Sequence, residues 1–361
     1  MEAAKIIVGT SKGLVMLVKE GSNWVISKVL FEGLAISFFY ADEQSSTWWV
    51  GISHRHWGDK LHVSTDEGLT WKEMATPNYN GYHYRPGKPA SLVKLWTMQQ
   101  AGSDRPGCLW LGTEPGGLFY SEDNGHSFKL NEGLWNHPSR MDDNQWFGTG
   151  KDYPFIHSIQ VDPRDSSHLY VAISCAGVFE TSDHGKSWEP RNNGLKAAYL
   201  PFSNVAVGHD PHRLLMCKAH PDVLWQQNHC GIFRTTDRGK NWEEVSGNDD
   251  FPVYGFALAI DDADPLVAYV VPAQSDLMRL PHHLALSVCK TADGGKNWER
   301  LVNGLPQGHV FDLVLRHAFD KRGHTLAFGT NNGNLYVSDD WGALWSVASQ
   351  NLAAVHSLSI L

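Results

Sequence analysis

Short apolar or alternating stretches, each about five to eight residues long, are separated by turn-forming residues along the whole chain. Near the middle, residues 156–163 (IHSIQVDP), 169–174 (LYVAIS) and 177–181 (GVFET) form three such stretches, and a short fourth begins at Trp188. Stretches of this kind, bounded by Gly, Asp, Pro and Ser, predict antiparallel β-strands. No segment has a convincing period of 3.6 residues, so almost no helix is expected.

A polar string follows the third strand of each unit. It has the form S/T-x-D-x-G-x-x-W/F, and its six copies are Ser64–Trp71, Ser121–Phe128, Thr181–Trp188, Thr235–Trp242, Thr291–Trp298 and Ser338–Trp345. The Asp carboxylate can accept N–H groups of its own turn, the Gly supplies a positive φ, and the aromatic ring can pack between neighbouring sheets. We therefore interpret the string as a structural turn between the third and fourth strands, not as a repeated active site.

Four strands per unit, at a period of about fifty residues, are typical of the blades of a β-propeller. The N-terminal residues supply a seventh unit without the polar string, from KIIVGT, GLVMLVK and NWVISKVLF. Its innermost strand is expected at the other end of the chain, in Ala353–Leu361. We predict an all-β, seven-bladed β-propeller over residues 1–361 as a single domain. The C-terminal strand would pair into the N-terminal blade and close the ring, which removes an open sheet edge.

The repeated string resembles the Asp-box, or BNR repeat. Asp-boxes occur in sialidases, in seven-bladed glycoside hydrolases such as xyloglucanases, in sortilin-type receptors and in a photosystem assembly factor. The resemblance extends over essentially the whole chain and implies the propeller fold, but it implies no single activity, because this fold hosts enzymes and binding proteins alike. The chain looks most similar to bacterial BNR-repeat proteins described as sialidase-like or glycosyl-hydrolase-like. The Phe/Tyr-Arg-Ile-Pro string typical of sialidases is absent from it.

The composition of the chain argues against some kinds of partner and indicates an expected location in the cell. The 361 residues carry a net charge of −9 and no long Lys/Arg run, which argues against nucleic acid. No stretch of about 18 apolar residues is present to span a membrane, and the N-terminus is interpreted as a strand rather than a secretion signal. The five cysteines are odd in number and widely spaced, so reduced thiols in a cytoplasmic protein are expected. The oligomeric state is left open.

The segments that do not repeat concentrate the candidate chemistry. Counting strands from the polar string places every long insertion at the opposite edge of the sheets, and the longest is Leu134–Phe155. Long loops at one end of a rigid scaffold are where sites are usually built. The candidate catalytic residues are His137, Arg140, Asp152, His157, His212, His229, Asp276 and Arg279. The candidate substrate-binding residues are Arg55, Trp135, Trp146, Asn228 and Asp312.

Three kinds of chemistry fit these residues. Carboxylates together with His and Arg favour hydrolysis or elimination on a carbohydrate or a related small polar substrate, which is the leading hypothesis. His56, His157 and His229 could hold a divalent, zinc-like ion, and no other cofactor is implied. The third hypothesis is a non-catalytic propeller that binds a protein or a glycan through its aromatic side chains. Whether the chain is an enzyme stays open at this point.

Overall fold

A computed structural model describes residues 5–54, 56–142, 145–148, 150–247 and 253–361. The chain divides into two compact units. Unit 1 comprises Met1–Ile36, Leu215–Arg238 and Trp242–Leu361, and unit 2 comprises Ser37–Leu214 and Gly239–Asn241. Each unit has its own buried apolar clusters. The expectation of a single domain stays a prediction.

Strands dominate the described residues, as the alternating apolar pattern predicts. In chain order they are β1 (Lys5–Thr10), β2 (Gly13–Glu20), β3 (Asn23–Leu30), β4 (Ala35–Asp42), β5 (Thr47–His54), β6 (Gly58–Ser64), β7 (Lys72–Met74), β8 (His83–Arg85), β9 (Lys88–Pro89), β10 (Lys94–Gln100), β11 (Leu109–Glu114), β12 (Leu118–Ser121), β13 (Lys129–Leu130), β14 (Phe155–Val161), β15 (Leu169–Ser174), β16 (Gly177–Thr181), β17 (Glu189–Pro190), β18 (Pro211–Met216), β19 (Leu224–Asn228), β20 (Gly231–Thr235), β21 (Glu243–Glu244), β22 (Gly255–Ile260), β23 (Ala268–Pro272), β24 (Val288–Thr291), β25 (Glu299–Leu301), β26 (Phe319–Arg322), β27 (Thr325–Gly329), β28 (Leu335–Ser338), β29 (Ser346–Ser349) and β30 (Val355–Ile360). Helical elements are one turn, α1 (Glu132–Trp135), and the 3₁₀ segments Pro138–Met141 and His282–Leu284.

The strands form seven four-stranded sheets within the described ranges. Their orders are β3-β2-β1-β30, β4-β5-β6-β7, β10-β11-β12-β13, β14-β15-β16-β17, β18-β19-β20-β21, β22-β23-β24-β25 and β26-β27-β28-β29, and β8 pairs with β9 in a separate hairpin. These sheets are the seven blades of a β-propeller, so the predicted fold class is confirmed.

The first sheet confirms the predicted closure by the C-terminal strand. β30 pairs antiparallel with β1, with Val8 opposite Leu358 and Ile6 opposite Ile360. All four of these side chains are buried. The C-terminal strand therefore supplies the innermost strand of the N-terminal blade and covers an edge that β1 would otherwise expose.

The last sheet departs from the sequence prediction in one strand. The apolar run Val310–His317 is expected to be its first strand, but the strand that pairs with β27 is β26, which begins at Phe319. The main chain of Leu313 is held by Asn331 instead: the Leu313 N–H donates to Asn331 Oδ1, and the Asn331 N–H donates to the Leu313 carbonyl. Burial of an apolar run therefore does not identify the segment that joins the ladder.

The Asp-box carboxylates are occupied within their own turns. In the first box, Asp66 accepts the Thr70 N–H at 2.8 Å and the Thr70 hydroxyl at 2.6 Å, while the Gly68 N–H donates to Ser64 Oγ at 2.8 Å. The second box repeats these bonds around Asp123. A carboxylate held in this way serves the turn, in agreement with the structural interpretation of the string.

The box tryptophan joins neighbouring sheets in unit 2. Trp188 is buried, and its Nε1–H donates to Asn131 Oδ1 at 3.0 Å, just beyond β13 of the preceding sheet. The Asn131 side chain also donates to the Gly185 carbonyl at 2.9 Å and accepts the Leu134 N–H, which caps α1. One box therefore fixes the start of the longest loop.

The box aspartates make stability depend on pH in the acid range. Hydrogen bonds from Thr70 lower the pKa of Asp66 to about 2, and those from Ser127 do the same to the pKa of Asp123. In the unfolded chain the pKa of an aspartate is about 3.9. A carboxyl whose pKa is lower than this in the folded protein stabilises the fold when the pH is above the unfolded pKa, and this stabilisation is lost as the pH falls towards 2. The melting temperature should therefore drop steeply between pH 4 and 2. Asp123→Asn should make the decrease in melting temperature between pH 4 and 2 smaller. Glu122 is an exposed acid of the same turn, and Glu122→Gln should leave the decrease unchanged. A wild-type melting temperature that stays constant over this range would contradict the assignment.

Candidate active site

A buried carboxyl group lies at the edge of the unit 2 sheets that is opposite the Asp-box turns, here called the loop edge. Glu114 is the last residue of β11 and pairs with Lys94, the first residue of β10. Its side chain is 3% exposed. Glu114 Oε2 accepts the Trp96 Nε1–H at 3.3 Å and lies 3.8 Å from Lys151 Nζ. The carboxyl is therefore anchored through one oxygen only, as far as the described residues show.

Burial raises the pKa of Glu114, and this effect outweighs the opposing influence of Lys151, Trp96 and Lys94. The charge of Asp152 raises it further. Asp152 itself is exposed. The structure therefore brings one predicted candidate, Asp152, into electrostatic range of a buried carboxyl that tends to hold its proton.

An aromatic pair lies beside Glu114. The rings of Trp96 and Phe155 stack with their centroids 4.2 Å apart and their planes 14° from parallel. Lys94 Nζ lies 4.4 Å from the Trp96 ring centroid. The Trp96 ring is partly exposed, whereas Phe155 is buried and supports it from one side. Phe155 and Lys94 thus both lie against this indole, and part of its surface is open to solvent.

A second, half-buried carboxyl, that of Asp59 at the start of β6, bonds to a neighbouring sheet. Its Oδ2 accepts the Leu95 N–H at 2.7 Å and its Oδ1 accepts the Ser53 hydroxyl at 2.7 Å. Burial raises its pKa, although both hydrogen bonds lower it. Both oxygens are used, so we assign Asp59 a structural role.

The longest loop packs several predicted residues into one cluster. Arg140 is buried, with its guanidinium carbon 3.3 Å from the Trp135 ring centroid. Trp146 is also buried and donates from Nε1 to Ser139 Oγ at 2.9 Å. His137 caps the 3₁₀ segment by accepting the Ser139 N–H at Nδ1, and burial lowers its pKa. Trp135 and Trp146 thus support the loop and do not offer a ring face to solvent.

His157 and His212 belong to a buried polar group in unit 2. His157 Nε2 lies 2.8 Å from the Pro211 carbonyl, and its Nδ1 lies 3.0 Å from Ser158 Oγ. His212 Nε2 lies 3.4 Å from Asp210 Oδ2. The Ser174 hydroxyl donates to Asp210 and to the Pro211 carbonyl, not to an imidazole. This arrangement is not that of a serine nucleophile activated by histidine.

Two further candidates of unit 2 are Arg55 and His56. Arg55 lies outside the described residues. His56 is exposed, and its ring lies 6.3 Å from that of His54. Both ring nitrogens of His157 already face oxygen atoms. The zinc-like site of His56, His157 and His229 therefore stays a prediction.

Three of the unit 1 candidates, His229, Asp276 and Arg279, lie close together. His229 Nε2 lies 3.6 Å from Asp276 Oδ2, and its ring makes an edge contact with Tyr254. Arg279 donates from Nε to the Asp276 carbonyl at 3.1 Å. Asn228 is buried and donates to Gln226, and Asp312 accepts hydrogen bonds from Asn334 and Thr330. His229, Asp276 and Arg279 thus share one region, whereas Asp312 is engaged in local bonds.

Glu114 is the residue that the sequence analysis missed. It occurs in the glycine-rich string GTEPGG. The available signal was an acid as the final residue of an otherwise apolar strand, CLWLGTE. An acid there lies where a strand reaches the loop edge, and long loops can bury it.

Comparison with known proteins agrees with this architecture. The sequence model of the BNR-Asp box repeat matches residues 232–245, which contain the whole of the fourth box. The chain is an Asp-box β-propeller. An oligoxyloglucan-reducing end-specific xyloglucanase of Emericella nidulans is 22% identical over 268 residues, which are 66% of this chain but only 30% of that protein. The chain thus spans less than a third of this relative.

Two solved structures share the fold at low identity. An ancestral GH74 enzyme has a TM-score of 0.57 at 16% identity, and the match covers 93% of this chain and 38% of that one. YCF48 bound to D1 peptide has a TM-score of 0.54 at 13% identity, and the match covers 93% of this chain and 88% of that one. At these identities the likeness concerns the fold alone.

Two further observations concern the cysteines and the helical elements. The five cysteines are free thiols. Among the described residues, no helix has both the length and the apolar character needed to cross a membrane. The cytoplasmic location stays a prediction.

Proposed function

We propose that the chain is a glycoside hydrolase that acts on a carbohydrate at the loop edge of unit 2. Glu114 is the general acid and Asp152 is the second carboxylate. The observation that carries the proposal is the contrast between their environments: one carboxyl is buried with a raised pKa, and the other is exposed and close enough to act on it electrostatically. Two carboxyl groups in unlike environments are the usual machinery of glycoside cleavage.

The anchoring of Glu114 indicates which of its two oxygens would carry the proton. Oε2 accepts the Trp96 Nε1–H and lies 3.8 Å from Lys151 Nζ, so a proton bound to this carboxyl would be carried on Oε1. Glu114 donates this proton to the oxygen of the leaving group as the glycosidic bond breaks. Asp152, being exposed, remains able to activate water or to stabilise the positive charge that develops on the sugar.

The neighbouring aromatic ring supplies substrate binding. A sugar stacked on Trp96 would contact the side chain whose Nε1–H donates to Glu114. Binding of the sugar is therefore coupled to the position of the acid. Phe155 fixes the indole from the opposite side. The name of the xyloglucanase relative supports a carbohydrate substrate for this chain.

Hydrolysis assays test this proposal directly. We expect the purified chain to cleave at least one member of a panel of xyloglucan oligosaccharides and 4-nitrophenyl glycosides of glucose, xylose and glucuronic acid. Asp152→Asn should slow that cleavage by about 10²-fold or more, because one of the two carboxylates is lost. Asp104→Asn, which changes an exposed acid next to the Asp-box edge, is the matched control and should retain the wild-type rate. Failure of the folded wild type on the whole panel would contradict the proposal.

A non-catalytic binding propeller is the second candidate. One observation favours it: this chain covers 88% of YCF48 bound to D1 peptide but only 38% of the ancestral GH74 enzyme, so it matches the peptide-bound protein better in length. If the chain is such a binding protein, no sugar of the panel is cleaved, whether or not it binds.

A further inference from the structure

The loop before β14 places a lysine beside the buried carboxyl of Glu114. Lys151 Nζ lies 3.8 Å from Glu114 Oε2, and the two side chains are 43% and 3% exposed. The same ammonium lies 5.8 Å from the ring centroid of Trp96, whose Nε1–H donates to Oε2 at 3.3 Å. Trp96 and Lys151 therefore face the same oxygen of the carboxyl, one from strand β10 and the other from the loop.

A close main-chain contact fixes this part of the loop. A Cβ on Gly148 would lie 2.0 Å from the Lys151 carbonyl oxygen, so the loop closes on itself only because residue 148 has no side chain. Asp152 directly follows Lys151. The loop therefore brings a cation and a carboxylate to Glu114 together.

The charged and titratable groups near Glu114 come from several segments. They are Tyr79 from the segment between β7 and β8, Lys94 from β10, and Lys151 and Asp152 from the loop before β14. Burial is the largest influence on the pKa of Glu114 and raises it. Among the charges, that of Lys151 has the largest effect and lowers the pKa, and that of Lys94 acts in the same direction, whereas that of Asp152 raises it. Lys151 is therefore the cation that most favours the carboxylate form of Glu114.

We propose that Lys151 is a positioning residue for proton donation by Glu114. The inference rests on the proposed function and adds a residue that acts through the acid without contacting the substrate. As the glycosidic bond breaks, the O–H bond on Glu114 Oε1 breaks and a new O–H bond forms on the oxygen of the leaving group. The negative charge that remains on Glu114 is shared by its two oxygens, and Lys151 faces Oε2.

The ammonium acts on the transition state more than on the bound substrate. A neutral carboxyl gains little from a nearby cation, whereas the carboxylate that forms as the proton leaves is attracted to it. An interaction that strengthens in the transition state raises kcat and leaves KM nearly unchanged. Because Lys151 is partly solvated, the relevant strength is that of two charges about 4 Å apart in water, which corresponds to about fivefold in rate.

Kinetics of Lys151→Met in the full chain test this assignment, with the panel glycoside that the wild type cleaves fastest as the substrate. We expect kcat at the optimum pH to fall about fivefold or more, with KM within about twofold of the wild-type value. Loss of the cation raises the pKa of Glu114, and the acid acts only while it is protonated. The decline in rate on the alkaline side should therefore move to higher pH. Lys151→Arg keeps the charge and should restore both kcat and the pH profile.

Lys129→Met is the matched control. Lys129 Nζ lies 3.6 Å from Glu122 Oε2, and both side chains are exposed. This pair has the same chemistry as the pair of Lys151 and Glu114, but it lies at the Asp-box edge of the sheet. We expect kcat and the pH profile of Lys129→Met to equal those of the wild type.

A titration by carbon NMR separates this inference from the proposed function. In protein isotopically labelled at the glutamate side-chain carboxyl carbon, the Glu114 resonance is the one missing from Glu114→Gln. A titration midpoint that rises in Lys151→Met and not in Lys129→Met supports the control of Glu114 by Lys151, and absence of cleavage by the wild type would then contradict the hydrolase alone. An unchanged midpoint in Lys151→Met would overturn the assignment of Lys151, even if glycosides are cleaved. So would a kcat for Lys151→Met within about twofold of the wild-type value.

Discussion

Replacing Glu114 with Gln is expected to lower the rate of glycoside cleavage by about 10²–10⁴-fold without loss of the fold. The amide keeps the shape of the side chain and can still accept the Trp96 Nε1–H, but it has no proton to give to the leaving group. Because Glu114 is held by few polar contacts, the buried amide should be tolerated. The melting temperature measured above pH 6 should stay within a few degrees of that of the wild type.

Glu122→Gln is the matched control for this variant. Glu122 is an exposed acid of the second Asp-box turn, in the same sheet as Glu114 but at the opposite edge, where it pairs with Arg105. We expect its cleavage rate to equal that of the wild type. A rate for Glu114→Gln within threefold of the wild type would exclude Glu114 as the acid.

The second large effect concerns the closing strand. Leu358→Asp is expected to destabilise the chain by about 3 kcal/mol or more, because it places a carboxyl in an apolar cluster. Leu358 is 5% exposed, lies opposite Val8 of β1 and belongs to the main cluster of unit 1. Loss of this strand would also leave β1 with an open edge and favour aggregation.

Ser359→Asp provides the comparison at the adjacent position. Ser359 lies opposite Ile7 in the same ladder and is partly exposed, so the new carboxylate can reach water. Urea unfolding should show a much smaller change for this variant than for Leu358→Asp. Equal effects of the two substitutions would mean that β30 does not pack as described.

The fold was predictable because its signals are local and repeated. Each Asp-box fixes a turn through bonds that lie within four residues, as the Asp66–Thr70 pair illustrates. The closure by β30 followed from counting strands, since one blade lacked its innermost member. The first strand of the last blade was placed wrongly because apolar burial and ladder pairing coincide in most strands but not at Leu313, whose N–H and carbonyl both bond to Asn331 instead.

The site was only partly predictable because it depends on contacts between distant segments. Asp152 and Arg140 could be selected as charged residues of a long loop, but nothing local places Asp152 near Glu114. Burial raises the pKa of Glu114, and two of the charges that act on it, those of Lys151 and Asp152, come from a loop some forty positions further along the chain. Such burial is a property of tertiary packing and has no counterpart in sequence spacing.

The most direct test of the central claim compares two leaving groups in Glu114→Gln. A glycoside of 2,4-dinitrophenol needs no proton to depart, whereas an alkyl glycoside of the same sugar does. If Glu114 is the general acid, the variant should cleave the dinitrophenyl glycoside within about tenfold of the wild-type rate and the alkyl glycoside about 10³-fold more slowly. An equal loss on both substrates would contradict proton donation by Glu114.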